Sequence, residues 1–256
     1  MPFTVSHIAA VLPARGLSRL PLAGLAVGAM SPDLEYLFQT GTRRTISHSP
    51  SGIILLDLPL ALLALALAGL AAPGLAALVP GRWPNVAAWL REWRPPWGSP
   101  SAAAWLVVAI IVGAMNHIVV DEFTHRGGLG TQLFPVLDRN IRVAEVILPL
   151  YRWMQYGLSV LWLGVLIALV FQWWRRVQPP VALSEPWIEG RKLFALTLLG
   201  SLTALAAVAQ TIDANDSPGL NKTTAVLLIL GSWRAGTVLL VGMGTAARGL
   251  RLISAR

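Results

Sequence analysis

The sequence predicts an all-α fold, a polytopic transmembrane bundle of about six spans with a short N-terminal helix that is re-entrant or interfacial. Composition is the first reason: 55% of the 256 residues are hydrophobic and 12% are charged, whereas a soluble domain carries about 25% charged residues. Leu and Ala dominate the apolar runs, which favours helices. Tryptophans at the ends of several runs are typical of an interfacial belt: Trp83, Trp97, Trp105, Trp173 and Trp174.

Six apolar runs approach the roughly 20 residues that cross a bilayer as a helix. They are residues 18–38, 52–72, 101–121, 156–174, 191–211 and 223–246. Ahead of them, TVSHIAAVL predicts a short helix that is capped by Thr4 or Ser6 and ends near Pro13. Between the runs, residues 73–100 are predicted to form a long loop, and residues 141–154 to lie along the membrane interface.

The whole chain, residues 1–256, is expected to form a single integral membrane domain. Residues 1–150 carry the polar motifs, and residues 151–256 add three further apolar spans. With the C-terminus in the cytoplasm, the larger share of the Arg and Lys residues near span ends lies on the cytoplasmic side, as expected for membrane proteins. The Arg-rich, Ala-rich composition is typical of bacteria. We therefore expect a multi-pass protein of the bacterial cytoplasmic (inner) membrane.

Charge and cysteine content exclude two classes of site. The formal net charge is +8, but the basic residues lie at the ends of apolar runs and form no concentrated stripe, so no nucleic-acid partner is expected. The chain has no cysteine, which excludes disulfides and thiolate metal sites. Histidine and carboxylate side chains are the remaining candidates for metal binding.

The polar residues that bind metals cluster at one predicted membrane face. His48 precedes the second run, and His117 lies near the end of the third. Asp33 and Glu35 end the first run on the same side of the membrane. His7 joins them if the N-terminal helix folds back. The later runs contribute no histidine to this face.

The stretch NHIVVDEFTH places His117, Asp121 and His125 four residues apart. Four residues of an α-helix turn through about 400°, so the three side chains share one face. The sequence DEFTH is polar enough to end the span at Asp121, which would place His125 just beyond the helix. Two imidazoles and a carboxylate on one face can bind a divalent cation, and His48 and Asp33 could complete the set. Zinc suits mixed nitrogen and oxygen ligands, and manganese and iron are the alternatives.

Asp57 lies within the second apolar run. A carboxylate there costs about 2.5–3.5 kcal/mol on insertion scales, so it is expected to face a partner inside the bundle. Two partners are open: an ion pair with Arg234 in the sixth run, or a liganding histidine that Asp57 orients through a hydrogen bond. Asn116 is assigned the same orienting role beside the metal ligands.

Four motifs carry a resemblance to known families: PFTVSHIAAVLP, MSPDLEY, ISHSPSGIILLDLPL and GAMNHIVVDEFTH. Their order and spacing, through about residue 150, resemble the bacterial integral membrane family called domain of unknown function 4184. The layout is also similar to the membrane-bound metal-dependent hydrolases of the YdjM type. Those proteins have an early His, an acidic motif, a His-Ser pair and a His-x-x-x-Asp helix.

The pair His117 and Asp121 more distantly resembles the helix motif of the zinc-dependent phospholipase C and P1 nuclease group. That resemblance implies a multinuclear zinc site that hydrolyses phosphate esters. Carried onto this chain, it implies as ligands His7, Asp33, His48, His117, Asp121 and His125. The soluble enzymes use their N-terminal residue as a ligand, whereas His7 offers only its side chain, so one or two metal ions are expected here.

Two classes of function fit these residues. The first is a membrane-embedded metal-dependent hydrolase that acts on a phosphate ester or lipid-linked substrate near the outer interface. In it, Asp33 or Glu35 binds metal or acts as general base, and Arg43 and Arg44 bind the anionic phosphate. The alternative is a non-enzymatic transporter, or a scaffold whose metal site joins helices. Membrane lipids and a lipid or phosphorylated small molecule are the expected partners; the sequence predicts no oligomeric state.

Overall fold

The computed structural model describes residues 4–16, 19–35, 46–79 and 83–176. Over this part of the chain the protein is mostly helical. Several predicted features lie outside the described residues, namely the spans at 191–211 and 223–246, the C-terminal orientation, and the side chains of Arg43, Arg44 and Arg234. The six-span count therefore stays a prediction.

Contacts divide the chain into two compact units. The first consists of Met1–Leu62 and Pro96–Leu169, and the second of Leu63–Pro95 and Val170–Arg256. In the second unit, Trp83 and Trp174 meet edge to face with their ring centroids 4.5 Å apart. Every described candidate site residue belongs to the first unit.

A short N-terminal helix is present as predicted. Helix α1 (His7–Ala10) follows a 3-10 turn at Thr4–Ser6. A second 3-10 turn, Leu12–Gly16, contains Pro13, whose ring and missing N–H disfavour a continued α-helix. These turns place His7 in the interior, where its side chain is fully buried.

Helix α2 (Leu22–Leu34) has 13 residues and is shorter than the predicted run at 18–38. At 1.5 Å per residue it is about 20 Å long, less than the roughly 30 Å of a bilayer core. It is apolar and carries Asp33 near its C-terminal end. Over the described residues, the first predicted span is thus a helix of about two thirds of the length that crosses a bilayer core.

The other described helices are α3 (Pro50–Leu78), α4 (Pro84–Glu92), α5 (Pro100–Thr124), α6 (Leu129–Leu133) and α7 (Leu150–Arg176). Three of them, α3, α5 and α7, are long and apolar enough to cross a membrane. They correspond to the predicted runs at 52–72, 101–121 and 156–174. This agreement indicates a membrane protein.

The region predicted as a long loop at 73–100 is partly helical. Helix α3 continues to Leu78 through Pro73, and α4 occupies much of the remainder. Membrane helices tolerate proline because other groups satisfy the freed carbonyl. Helix α4 begins with Pro84, a position where proline costs no hydrogen bond.

The segment at 141–154 forms a β-hairpin followed by the start of α7, and its predicted position along the membrane interface stays a prediction. Strands β1 (Asn140–Val143) and β2 (Val146–Pro149) pair antiparallel. Their β-branched residues favour strands, and Ala144 adopts a positive φ of 51° in the two-residue turn. Within the described residues, this hairpin departs from the expected all-α fold.

Helices α2 and α5 cross closely because glycines lie at their contact. A Cβ built on Gly28 would collide with the carbonyl of Ile110, and one on Gly113 with the carbonyl of Leu25. Small residues permit this approach in membrane helices. The crossing brings the end of α2, with Asp33, beside the last turns of α5.

Candidate metal centre

Five of the six predicted ligands converge in the interior of the first unit. They form two overlapping groups, one of His7, Asp33 and His117, and the other of His48, His117 and Asp121. Within each group the potential ligand atoms lie within 4.8 Å of one another. His7 and His117 are fully buried, and Asp33 and Asp121 are 6% and 2% exposed.

Two imidazole nitrogens and two carboxylate oxygens face one another in a closed set, which we call the N2O2 set: His48 Nε2, His117 Nε2, Asp33 Oδ1 and Asp121 Oδ2. The Nε2 atom of His48 lies 3.7 Å from Asp33 Oδ1 and 3.6 Å from Asp121 Oδ2. The Nε2 atom of His117 lies 3.6 Å from each of the same oxygens. Each nitrogen therefore faces both oxygens.

The four separations of the N2O2 set are too long for hydrogen bonds, which span about 2.7–3.2 Å. They are close to the edge of a zinc tetrahedron, about 3.3 Å for bonds of about 2.0–2.1 Å. Two buried carboxylates also bring negative charge to a site where an unneutralised charge is costly. A divalent cation would satisfy both the spacing and the charge.

The ring of His117 is held in the tautomer that a cation requires. Its Nδ1–H donates to the carbonyl oxygen of Ala29 at 2.7 Å. The lone pair is then on Nε2, which is buried and has no hydrogen-bond partner among the described residues. A carbonyl acceptor behind an imidazole is the usual support of a metal-ligating histidine.

His48 and Asp33 are oriented by hydroxyl groups. The hydroxyl of Ser47 lies 2.9 Å from Nδ1 of His48, so Nε2 of that ring points to the carboxylates. Thr4 Oγ1 donates to Asp33 Oδ2 at 2.7 Å, which leaves Oδ1 for the N2O2 set. Each hydroxyl thus fixes which ligand atom faces the centre.

Glu35 supports the loop that carries His48. Its Oε2 accepts the backbone N–H of Ser47 at 3.3 Å, and the side chain is buried. Glu35 is absent from both ligand groups. Of the two predicted acid–base candidates, Asp33 lies among the ligands and Glu35 lies beside them.

His7 stacks on His117 with ring centroids 3.8 Å apart and an angle of 17° between planes. Both of its ring nitrogens are buried without a hydrogen-bond partner in the described chain, and Nε2 is 3.8 Å from Asp121 Oδ1. Burial, reinforced by neighbouring His117, lowers the pKa of His7 to about 3. The ring is therefore neutral, which is the form that binds metal.

His125 lies beside Asp121 but belongs to neither ligand group. Its Nδ1 donates to the Asp121 carbonyl at 3.1 Å, and the side-chain amide of Gln155 lies 3.1 Å from its Nε2. The helix ends here, because His125 has an extended backbone as the C-cap of α5. The predicted spacing thus yields one shared face for His117 and Asp121. His125 lies just beyond the helix, with Nδ1 3.5 Å from Asp121 Oδ1 and Nε2 directed towards Gln155 of α7.

The residues predicted to orient the ligands have no such contact within the described chain. Asp57 ends a π-helical segment, Ile53–Asp57, and neither of its buried oxygens has a hydrogen-bond partner there. The buried Oδ1 of Asn116 likewise lacks one in this part of the protein. Arg234 lies outside the described residues, so an ion pair between it and Asp57 stays a prediction, whereas the hydrogen bond between Asp57 and a liganding histidine is not formed in the described chain.

Three supporting groups were not predicted from the sequence. The hydroxyl of Ser47 lies next to His48 in sequence, and this proximity was an available signal. Thr4 gave none, because its hydroxyl supports Asp33, which is 29 residues away. The carbonyl of Ala29 gave none, because every residue has a carbonyl and only the α2–α5 crossing selects this one.

Comparison with known proteins gives one match. A protein-family profile described as "Domain of unknown function (DUF4184)" matches residues 1–243. No curated protein and no solved structure matches the chain. The resemblance carried by the four motifs is confirmed at the family level, whereas the likeness to YdjM-type hydrolases and to the phospholipase C and P1 nuclease group gains no support.

Proposed function

The chain belongs to the family described as domain of unknown function (DUF4184), and we propose that it is a membrane-embedded metal-dependent hydrolase of a phosphate ester or lipid-linked substrate. The N2O2 set carries the proposal. Its four nitrogen–oxygen separations of 3.6–3.7 Å are slightly longer than the ligand–ligand distance of about 3.3 Å around tetrahedral zinc, which supports a cation between them. They are not those of direct hydrogen bonds.

Zinc is the cation that we propose for the N2O2 set, because four-coordinate sites of imidazole and carboxylate ligands suit it. Manganese and iron are the alternatives that the same donors accept. When bound, such a cation polarises a phosphoryl or acyl oxygen and lowers the pKa of coordinated water to about 7. His7, stacked on His117, supplies a further neutral imidazole at the Asp121 Oδ1 side.

Side chains of the protein are assigned the acid–base and phosphate-binding roles. Asp33 uses Oδ1 in the N2O2 set and Oδ2 for Thr4, so we assign the general acid–base role to Glu35. Its position beside the His48 loop is fixed by the Ser47 N–H, and a base must be positioned before its pKa matters. We further propose that Arg43 and Arg44 bind the substrate phosphate.

The proposed location is the outer face of the bacterial cytoplasmic membrane, with the C-terminus in the cytoplasm. The buried ligands lie at the ends of apolar helices α2 and α5, where a head group can reach them while its tail stays in the bilayer. Histidine and carboxylate groups at membrane depth mark functional sites by default.

One observation favours a second function. Two imidazoles and two carboxylates already provide four protein ligands, and a zinc ion closed by four protein ligands is structural. In that case the ion would join α2, α5 and the His48 loop, and the protein would be a transporter or scaffold. A catalytic site differs by keeping a position for water.

Elemental analysis of the purified protein tests the site, and turnover tests the reaction. Bound divalent metal is expected in the wild type and is lost in His117→Ala and Asp121→Ala, while Thr131→Val, whose hydroxyl bonds the Gly128 carbonyl and no ligand, retains it. Full metal content in both ligand variants would contradict the site.

Metal-dependent hydrolysis of phospholipids or prenyl phosphates supports the enzyme if it is abolished in Glu35→Gln while the bound metal is retained. Metal without turnover of either class supports the scaffold.

A further inference from the structure

An apolar cleft lies between the N-terminal turns and helix α7. It has a volume of about 560 Å³, within the range of roughly 300–1,000 Å³ for small-molecule sites. Its walls include Leu12, Pro13, Leu161, Trp162, Val165 and Leu169. All belong to the first compact unit.

The lining decides what chemistry the cleft can accept. Its walls are aliphatic and aromatic, with no charged residue among the residues that line it. A polar or charged group placed there would lose its hydration without a replacement hydrogen bond. The cleft therefore suits a hydrocarbon chain.

The cleft begins beside the metal centre and runs away from it. The Trp162 ring, in its wall, lies 6.1 Å from the His7 ring, centroid to centroid. From Leu161 to Leu169 helix α7 rises about 12 Å along its axis. A chain lying along this face has one end at Trp162, the wall residue that neighbours His7, and the other at Leu169, further along α7.

We propose that this cleft binds the hydrocarbon chain of a membrane lipid whose head group lies at the metal centre. The inference rests on the proposed function, because it makes that lipid the substrate. Leu161 is 59% exposed on α7, a helix long and apolar enough to span the bilayer. A lipid tail can therefore enter sideways without passing through water.

The free energy of moving a lipid tail into the cleft shows whether the cleft contributes affinity or orientation. A lipid tail is as apolar as leucine, so moving it from the bilayer into the cleft changes its free energy little. Affinity must come from the head group at the metal centre, and the cleft fixes the direction of the chain. The test must therefore read the position of the chain, not only its affinity.

Two glycines give a matched pair of variants. Nothing lies within 4 Å of a Cβ built on Gly16, which lines the cleft, or on Gly164 in α7, outside its lining. Gly16→Leu adds bulk to the cleft, and Gly164→Leu adds the same bulk elsewhere. Neither residue belongs to the ligand groups.

Photolabelling measures the position directly. The probe is dodecyl phosphonate with a diazirine near the end of its chain, added to full-length protein in phosphatidylcholine nanodiscs and mapped by mass spectrometry. We expect labelling concentrated in residues 9–16 and 161–169, and its removal by excess dodecyl phosphate. Gly16→Leu reduces the label to the level of the lipid-facing surface, and Gly164→Leu leaves it unchanged.

Uniform labelling along α7, an unlabelled cleft, or equal labelling in Gly16→Leu would overturn the proposal. Metal content measured on the same samples separates this inference from the proposed function. A labelled cleft in protein that never holds metal supports lipid binding and contradicts the hydrolase. Metal-loaded protein with an unlabelled cleft contradicts lipid binding alone.

Discussion

The ligand atoms are selected by single hydrogen bonds. The Ala29 carbonyl holds Nδ1–H of His117 and exposes Nε2 to the carboxylates, and Thr4 does the same for Oδ1 of Asp33. Such supports typically change metal affinity by about 10–100-fold. The site thus depends on groups that never touch the cation.

Thr4→Val tests this dependence. The substitution keeps the side-chain shape and removes the hydrogen bond to Asp33 Oδ2, so we expect a fall of about 10–100-fold in metal affinity. Competition with a chelating dye measures it. Thr131→Val is the control, because its hydroxyl bonds the Gly128 carbonyl away from the ligands. Equal affinity in Thr4→Val and the wild type would contradict the role.

Asp57→Asn separates the two roles proposed for this carboxylate. Within the described chain it is fully buried without a hydrogen-bond partner, and isolated buried charge is costly. We expect a higher thermal unfolding midpoint together with weaker metal binding, because a negative charge near the cation is lost. A lower midpoint would instead indicate that Asp57 is paired, as expected for an ion pair with Arg234.

The ligand residues of the site were predictable from the sequence, whereas their hydrogen-bond partners were predictable only in part. Helical periodicity placed His117 and Asp121 on one face, and the structure has them so. The same periodicity included His125, but α5 ends there and the extended backbone turns the ring towards Gln155. The four-residue spacing does not encode the helix end, but the polar sequence DEFTH did predict that His125 lies beyond the helix.

At the scale of elements, the α2–α5 crossing sets the distances within the site. Asp33 comes from α2, and His117 and Asp121 come from α5, so the axial separation of two helices decides whether their side chains meet. The glycine contacts leave no space for a methyl group. Small residues at this crossing therefore serve the metal centre as well as the packing.

Gly113→Ala tests the crossing. The added methyl would meet the Leu25 carbonyl, and overpacking of this kind costs about 1–3 kcal/mol. We expect lower thermal stability and a loss of bound metal, because Asp33 moves away from α5. Gly164→Ala, in open space on α7, serves as the control. Unchanged metal content in Gly113→Ala would show that the crossing does not position the ligands.

Length and hydropathy predicted the long helices but not the shorter elements. The apolar runs at 52–72, 101–121 and 156–174 became helices of membrane-spanning length. The hairpin at Asn140–Pro149 was not predicted from the sequence, because its turn depends on a positive φ at Ala144, and alanine rarely adopts a positive φ. Helix α2 contains Pro32 and ends at Leu34, where Asp33 and Glu35 interrupt the apolar run.

At the scale of the whole molecule, one cation would join segments that are far apart in sequence. The ligand groups draw on α1, α2, the loop before α3, and α5. A ligand that binds only the folded state stabilises it by about 2.7 kcal/mol at one hundred times its dissociation constant. The sequence indicated this convergence of distant residues, because it predicted all four histidines at one membrane face.

Metal dependence of stability follows from this arrangement. We expect the thermal unfolding midpoint of the purified protein to fall on treatment with a chelator and to rise again with added zinc. His117→Ala should unfold at a midpoint that zinc does not change. Differential scanning fluorimetry measures both, and an equal zinc response in the two proteins would contradict binding at this site.

X-ray absorption spectroscopy of the zinc-loaded protein tests the N2O2 set most directly. The predicted spectrum has a first shell of nitrogen and oxygen at about 2.0–2.1 Å with the outer-shell scattering of two imidazoles. The imidazole signal falls by half in His48→Ala. A first shell of oxygen alone, or a spectrum that His48→Ala and His117→Ala leave unchanged, would contradict the assignment.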